Sequence, residues 1–242
     1  MPTTPSTPRH AAEAALVDAL ARAQALHADR LADARLAAAL DGLADWQARR
    51  LAATYADLAA QPRYADAISF FQTDLYGNAD YARRDADVAR VVPIMVSMLP
   101  ERVIATIADA MELNVLSHEL DRRVLAHLPD PERYGVAEYC AAYRRAGAFD
   151  ARERQIATIG TIGRALDAFV RKPLIRAALA MMRGPAHLAG FGALHDFLER
   201  GFRAFHRMGG AEEFLATIDD RESAIHRAIA GGANDAFPDP RA

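Results

Sequence analysis

At 242 residues, with charged side chains a quarter of the total and a formal net charge of −3, the chain can bury a substantial core. It has no basic block of the kind a dedicated nucleic-acid binder carries. Cys140 is the only cysteine, which excludes an intrachain disulfide. The best membrane-span candidate, Val88 to Leu99, is far short of ~20 apolar residues and is interrupted by Pro93 and Ser97. Met1 to His10 lacks the pattern of a signal peptide, so the expectation is a cytoplasmic protein.

In chain order, helical periodicity is nearly continuous, with Pro and Gly as punctuation, and period-two alternation is absent. Residues 1–9 are expected to be disordered. Thr7-Pro8 offers a helix start, and an Ala-rich helix with Leu16, Leu20, Leu31, Leu36 and Leu40 as apolar positions runs to about Asp41. Gly42 is the expected break, and a second segment runs from Ala44 to Gln61. Residues 10–61 form this Ala-rich front, with Asp29, Arg30, Asp33 and Arg35 on its solvated face; 62–230 form the core of the bundle.

Pro62 opens a helix that Gly77-Asn78 ends, and the next runs from Tyr81 to Met98. A central helix spans about Pro100 to Leu128, and a short helix beyond Pro129-Asp130-Pro131 stops near Gly147. Asp150 and Glu153 fit a capping box for a helix to Arg171, in which Gly160 and Gly163 imply close approach of a neighbour. Pro173 opens a short helix ending at Arg183-Gly184. Pro185 opens another with the stripe Leu188, Phe191, His195, Leu198, Phe202 and Phe205. The last helix runs from Ala211 to Ala230, and residues 231–242 read as a disordered tail. The expected fold is all-α, a single-domain bundle of about eight to ten helices with short connections.

Several runs together resemble a family of uncharacterised all-helical proteins of proteobacteria, classed as a domain of unknown function. They are Phe70 to Gly77, Arg84 to Asp87, Glu112 to Asp121, Met182 to Ala186, and Gly201 to Ala211. The resemblance extends over roughly Gln61 to Arg227. It implies one helical domain and brings no activity, cofactor or catalytic residue.

The central helix carries the main chemical signal. Helical phase puts Asn114, Ser117, His118 and Asp121 on a buried arc, while Glu112, Glu119 and Arg123 lie on the solvated strip. Buried polar groups need partners, so a polar network through the core is expected. His118 and Asp121, at i and i+3, are candidate catalytic or metal-ligating groups. With them stand His195, Glu222 and His226, whose spacing permits a shared ion. This constellation requires His195 to face His118 and Asp121.

Asp74 and Arg84 are expected to pair across a turn, with Tyr76 and Asp85 beside any ligand there. Arg183, just ahead of a presumed helix start, is a candidate anion contact. No phosphate loop, nucleophile elbow or zinc-ligand spacing occurs, so the cofactor is unknown and enzymatic activity is open. The leading reading is non-catalytic binding of a protein partner or a small anionic ligand, with no nucleic acid or membrane partner and an undefined oligomeric state. The alternative is a metal-dependent helical-bundle enzyme with a His/Asp site.

Overall fold

The structure, a computed structural model, describes residues 8–71, 100–190 and 192–240. Among these residues there is no strand, and ten helices build the domain. They are α1 (Pro8–Ala32), α2 (Ala34–Thr54), α3 (Ala56–Ala59), α4 (Ala65–Phe70) and α5 (Glu101–Leu125). After these come α6 (Val136–Ala146), α7 (Phe149–Val170), α8 (Pro173–Leu188), α9 (Gly192–Met208) and α10 (Glu212–Ala230). The expected Asp74–Arg84 pair, with Tyr76 and Asp85, lies outside the described residues.

Helices α5 and α7 are central. The first packs on α1, α2, α6 and α7; the second also meets α8, α9 and α10. The Ala-rich front is part of the same body. Leu16, Ala19, Leu20 and Ala23 recur at helical spacing and pack on Ile104, Ala108, Met111 and Val115 of α5. Alanine contributes little apolar area, and charge reinforces the contact at its edge. Arg22 donates to Glu112 at 2.8 Å and Glu119 at 3.0 Å, and Arg122 donates to Asp29 at 3.0 Å.

Several boundaries differ from expectation, each for a local reason. The first break falls at Asp33 and not at Gly42. Asp33 takes extended backbone angles, and its carboxylate accepts from the N–H groups of Arg35 and Leu36, which caps α2. Asp150 does not cap α7, which begins at Phe149 behind Ala148. Pro185 does not start a helix; it lies in the last turn of α8, which continues through it at the cost of one backbone hydrogen bond. Arg183 is therefore inside α8 and not ahead of a helix N-terminus, and it pairs with Glu199.

With the start of α9 at Gly192, its core stripe also shifts. Phe197, Gly201, Ala204, Phe205 and Met208 face the neighbouring helices, whereas Leu188 is 92% and Leu198 47% exposed. His195 and Phe205 are buried as the stripe predicts. The C-terminal segment is not a loose tail through residue 240: Phe237 is buried against Trp46 and Tyr139. No helix among the described residues is long and apolar enough to cross a membrane.

Gly163 brings α7 and α10 together as its spacing implies. A Cβ there would stand 3.0 Å from one Leu215 methyl and overlap the other. Leu215 is itself 4% exposed, so its methyl groups must be displaced to make room. Gly163→Ala is expected to destabilise the fold by about 1–3 kcal/mol through overpacking. Gly42→Ala, with open space around its Cβ, is expected to stabilise it by about 0.5–1 kcal/mol. Urea denaturation of the two variants against the parent chain checks both signs.

Candidate functional site

The interior between α2, α5, α6, α7 and α10 encloses a cavity of about 120 Å³. Its walls divide by chemistry. Ile156, Ile159, Ile218, Ile225, Phe71 and Phe237 supply apolar surface, while Arg50, Asp121, Arg152, Glu222 and His226 bring ionisable groups to the same space.

Helix α2 contributes Gln47 and Arg50 at i and i+3. Arg50 forms a two-pronged ion pair with Glu222 of α10, at 2.6 and 2.9 Å, and the Tyr55 hydroxyl donates to the same carboxylate at 2.7 Å. Burial pushes the Glu222 carboxyl up, but the Arg50 charge and the hydrogen bonds from Arg50 and Tyr55 outweigh it. Its pKa is therefore net lowered. Burial likewise works against the Arg50 cation, and Glu222 more than compensates.

Asp121 of α5 accepts from Gln47 Nε2 at 2.9 Å. Desolvation dominates its environment and raises its pKa, against the lowering effects of the Arg152 charge, the Gln47 hydrogen bond and the His118 charge. Ser117, one turn earlier, donates to Leu113 O at 2.8 Å and accepts from Gln155 Nε2 at 2.8 Å. Gln155 Oε1 in turn accepts from Arg152 Nη1 at 3.0 Å. Arg152 lies over the Tyr143 ring, 5.0 Å from its centroid. It is 9% exposed, and its Nη2 is buried without a hydrogen-bond partner.

His226 Nδ1 is 2.7 Å from the Tyr143 hydroxyl, and His226 Nε2 lies 3.6 Å from Glu153 Oε1. Burial raises the pKa values of Tyr139 and Tyr143, keeping both phenols protonated at neutral pH. The Glu153 carboxylate can only accept, which places the ring proton on Nε2 and leaves Nδ1 to accept from the Tyr143 hydroxyl.

The structure thus brings Asp121, Glu222 and His226 of the predicted set to one cavity. Asn114, Ser117, His118 and Asp121 are half-buried, and Glu112 is exposed as phase predicts. Glu119 is half-buried as well, because Arg22 covers it. The expected convergence of His195 on His118 and Asp121 does not occur. His195 Nε2 is bound to Leu179 O at 2.8 Å at the α8–α9 corner, because α9 packs on α8, α4 and α7. Among the described residues, the one three-ligand cluster is His187, His195 and Asp196. Cys140 is fully buried, with burial raising its thiol pKa, as a small core residue would be.

Sequence reasoning missed Gln47, Arg50, Arg152 and Gln155. The available signal was phase: Gln47 and Arg50 follow Leu43 and Trp46 around the same part of α2, so a polar and a charged side chain share its core-facing side.

Two variants probe the network. Glu222→Ala leaves the buried Arg50 guanidinium without its carboxylate, and a loss of about 3–5 kcal/mol is expected by chemical denaturation. Asp121→Asn keeps the acceptor for Gln47 but removes a buried charge. Because folding raises the Asp121 pKa, the parent chain pays an ionisation penalty that is absent below the unfolded value of about 4. The penalty grows as pH rises and is complete above the folded pKa. Asp121→Asn should therefore raise Tm at neutral pH, with the gain disappearing on acidification toward pH 4; thermal melts across that range test the sign.

Residues 21–236 match the family described as Domain of unknown function (DUF8198). The match includes most of the Ala-rich front, which the resemblance read from sequence left out. No curated protein and no solved structure matches the chain. Spanning all of the cavity walls but Phe237, the match shows that the chain belongs to this family, Domain of unknown function (DUF8198).

Proposed function

We propose that the protein binds a small organic acid in the central cavity and does no chemistry on it. One observation carries this reading: Arg152 Nη2 is buried on the cavity wall with no hydrogen-bond partner. An unsatisfied charged donor costs more than a neutral one, and a carboxylate is the anion whose planar oxygens suit guanidinium. The two terminal nitrogens of Arg50 are occupied by Glu222, although its Nε is also buried without a partner, and the raised pKa of Asp121 weakens its claim on Arg152.

Size and lining narrow the ligand. A cavity of about 120 Å³ is comparable with the roughly 150 Å³ engineered site that accepts benzene. The isoleucine and phenylalanine surface suits a compact apolar body, either an aromatic ring or a branched aliphatic chain. Tyr139 and Tyr143 are held protonated and Glu222 ionised, so these three groups are away from the poise of a general acid or base near neutrality, and the binding reading rests on the unpartnered Arg152 Nη2.

The test uses untagged full chain with benzoate and isovalerate as probes and benzyl alcohol as the uncharged comparison. The acids are expected to raise Tm in a concentration-dependent manner, reaching about 2.7 kcal/mol of stabilisation at a hundred times Kd. Benzyl alcohol should do markedly less, and Arg152→Met should remove the acid effect while retaining a cooperative melt. Equal binding by Arg152→Met, or no stabilisation by either acid at millimolar concentration, refutes the proposal.

A further inference from the structure

The geometry points to a divalent transition-metal site at the α8–α9 corner, held by His187, His195 and Asp196. It is separate from the central cavity and independent of the organic-acid reading. Candidate ligand atoms from the three residues all lie within 4.8 Å of one another. His187 Nε2 is 3.1 Å and His195 Nδ1 3.9 Å from Asp196 Oδ1. Bonds of about 2.0–2.2 Å to a tetrahedral ion put ligand atoms about 3.4 Å apart, so only small side-chain adjustments close the set.

The decisive group is His195. Its Nε2 lies 2.8 Å from the Leu179 carbonyl oxygen, which can only accept, so the ring proton is on Nε2. In the neutral ring Nδ1 therefore presents a lone pair. His195 is 5% exposed, and this Nδ1 is buried with no hydrogen-bond partner. A His187–Asp196 ion pair alone accounts for two of the three side chains and leaves that lone pair unanswered. A metal ion answers it, and a ligating imidazole that donates its other N–H to a backbone carbonyl is the usual supporting arrangement.

The local backbone serves the same geometry. Gly190, with φ 83°, ends α8 and turns the chain into α9, bringing His187 back over the first turn. A Cβ on Gly192 would be 2.5 Å from His187 Nδ1, so the bare α-carbon admits the imidazole. The side chains of His187 and Asp196 are 49% and 43% exposed, which leaves coordination positions for water or a solvent-borne ligand. Two imidazoles and one carboxylate suit zinc and its first-row neighbours; calcium and magnesium take all-oxygen sets.

The test is titration of untagged, chelator-treated full chain with Co²⁺, read by its visible d–d bands, and with Zn²⁺ by calorimetry. One equivalent per chain is expected, with Zn²⁺ displacing Co²⁺. His187→Ala and Asp196→Asn, both at exposed side chains, should weaken binding about tenfold or more without loss of far-UV helicity. His195→Gln should do the same if it folds, and His206→Ala, on the exposed side of α9, should bind as the parent does. Absence of stoichiometric binding, or parental affinity in both His187→Ala and Asp196→Asn, overturns the site.

Discussion

The ion pair between Arg50 and Glu222 is the constraint around which the interior is arranged. A guanidinium and a carboxylate, each with only 13–15% of the side chain exposed, are held there by a two-pronged contact and the partners around it, with Arg50 Nε left buried and unanswered. Tyr55 caps one lone pair of Glu222, and the Phe237 ring lies 5.4 Å from the Arg50 guanidinium carbon. The pair ties α2 to α10, elements 172 positions apart in sequence. With two helices fixed at that separation, α5 and α7 fill the space with a mixture of isoleucine and polar side chains. An apolar core of the same volume would be simpler and no less stable. Keeping charge here is what makes a recognition site the economical explanation of the cavity.

Two kinds of polar group result. Glu222, Gln47 and Ser117 are consumed by partners within the protein. Arg152 Nη2 and His195 Nδ1 are not, and neither are Trp46 Nε1, Arg50 Nε and the Tyr134 hydroxyl. Arg152 and His195 both stand in the first turn of their helices, α7 and α9, yet these two atoms are buried away from water. Arg152 Nη2 and His195 Nδ1 differ in kind, one a cationic donor and the other a neutral lone pair, and so ask for opposite occupants.

Much of the architecture was legible in the sequence because local signals agree with the tertiary solution. Gly147 closes α6 with φ 62°, the Pro-rich turn at residues 129–131 separates α5 from α6, and Gly163 marks a close helix approach. Legibility failed where one signal had two meanings. Pro185 reads as a helix start, whereas α8 runs through it to Leu188, and this moves the phase of the stripe that follows. At Asp33 the side chain could be solvated or could cap, and only backbone angles decide. The candidate site was half visible: Asp121, Glu222 and His226 stood out as carboxylates and imidazole on apolar faces. Arg152 hid inside an apparent capping box, and Arg50 was not weighed because arginine is so abundant in this chain. Which helices touch is a matter of non-local packing, and that is why His195 was assigned to the wrong neighbour.

The burial of Phe237 has a consequence for the order of assembly. The buried core of the α1–α5 contact uses residues no later than Val115, with Phe197 added at its edge, so most of it can form while the C-terminal half is still being synthesised. The cavity cannot be sealed at that stage. Its wall needs α10, and Phe237 must then fold back over Trp46, Tyr139 and Arg50. Until residue 237 has emerged from the ribosome, the charged interior lacks that part of its wall and stays hydrated.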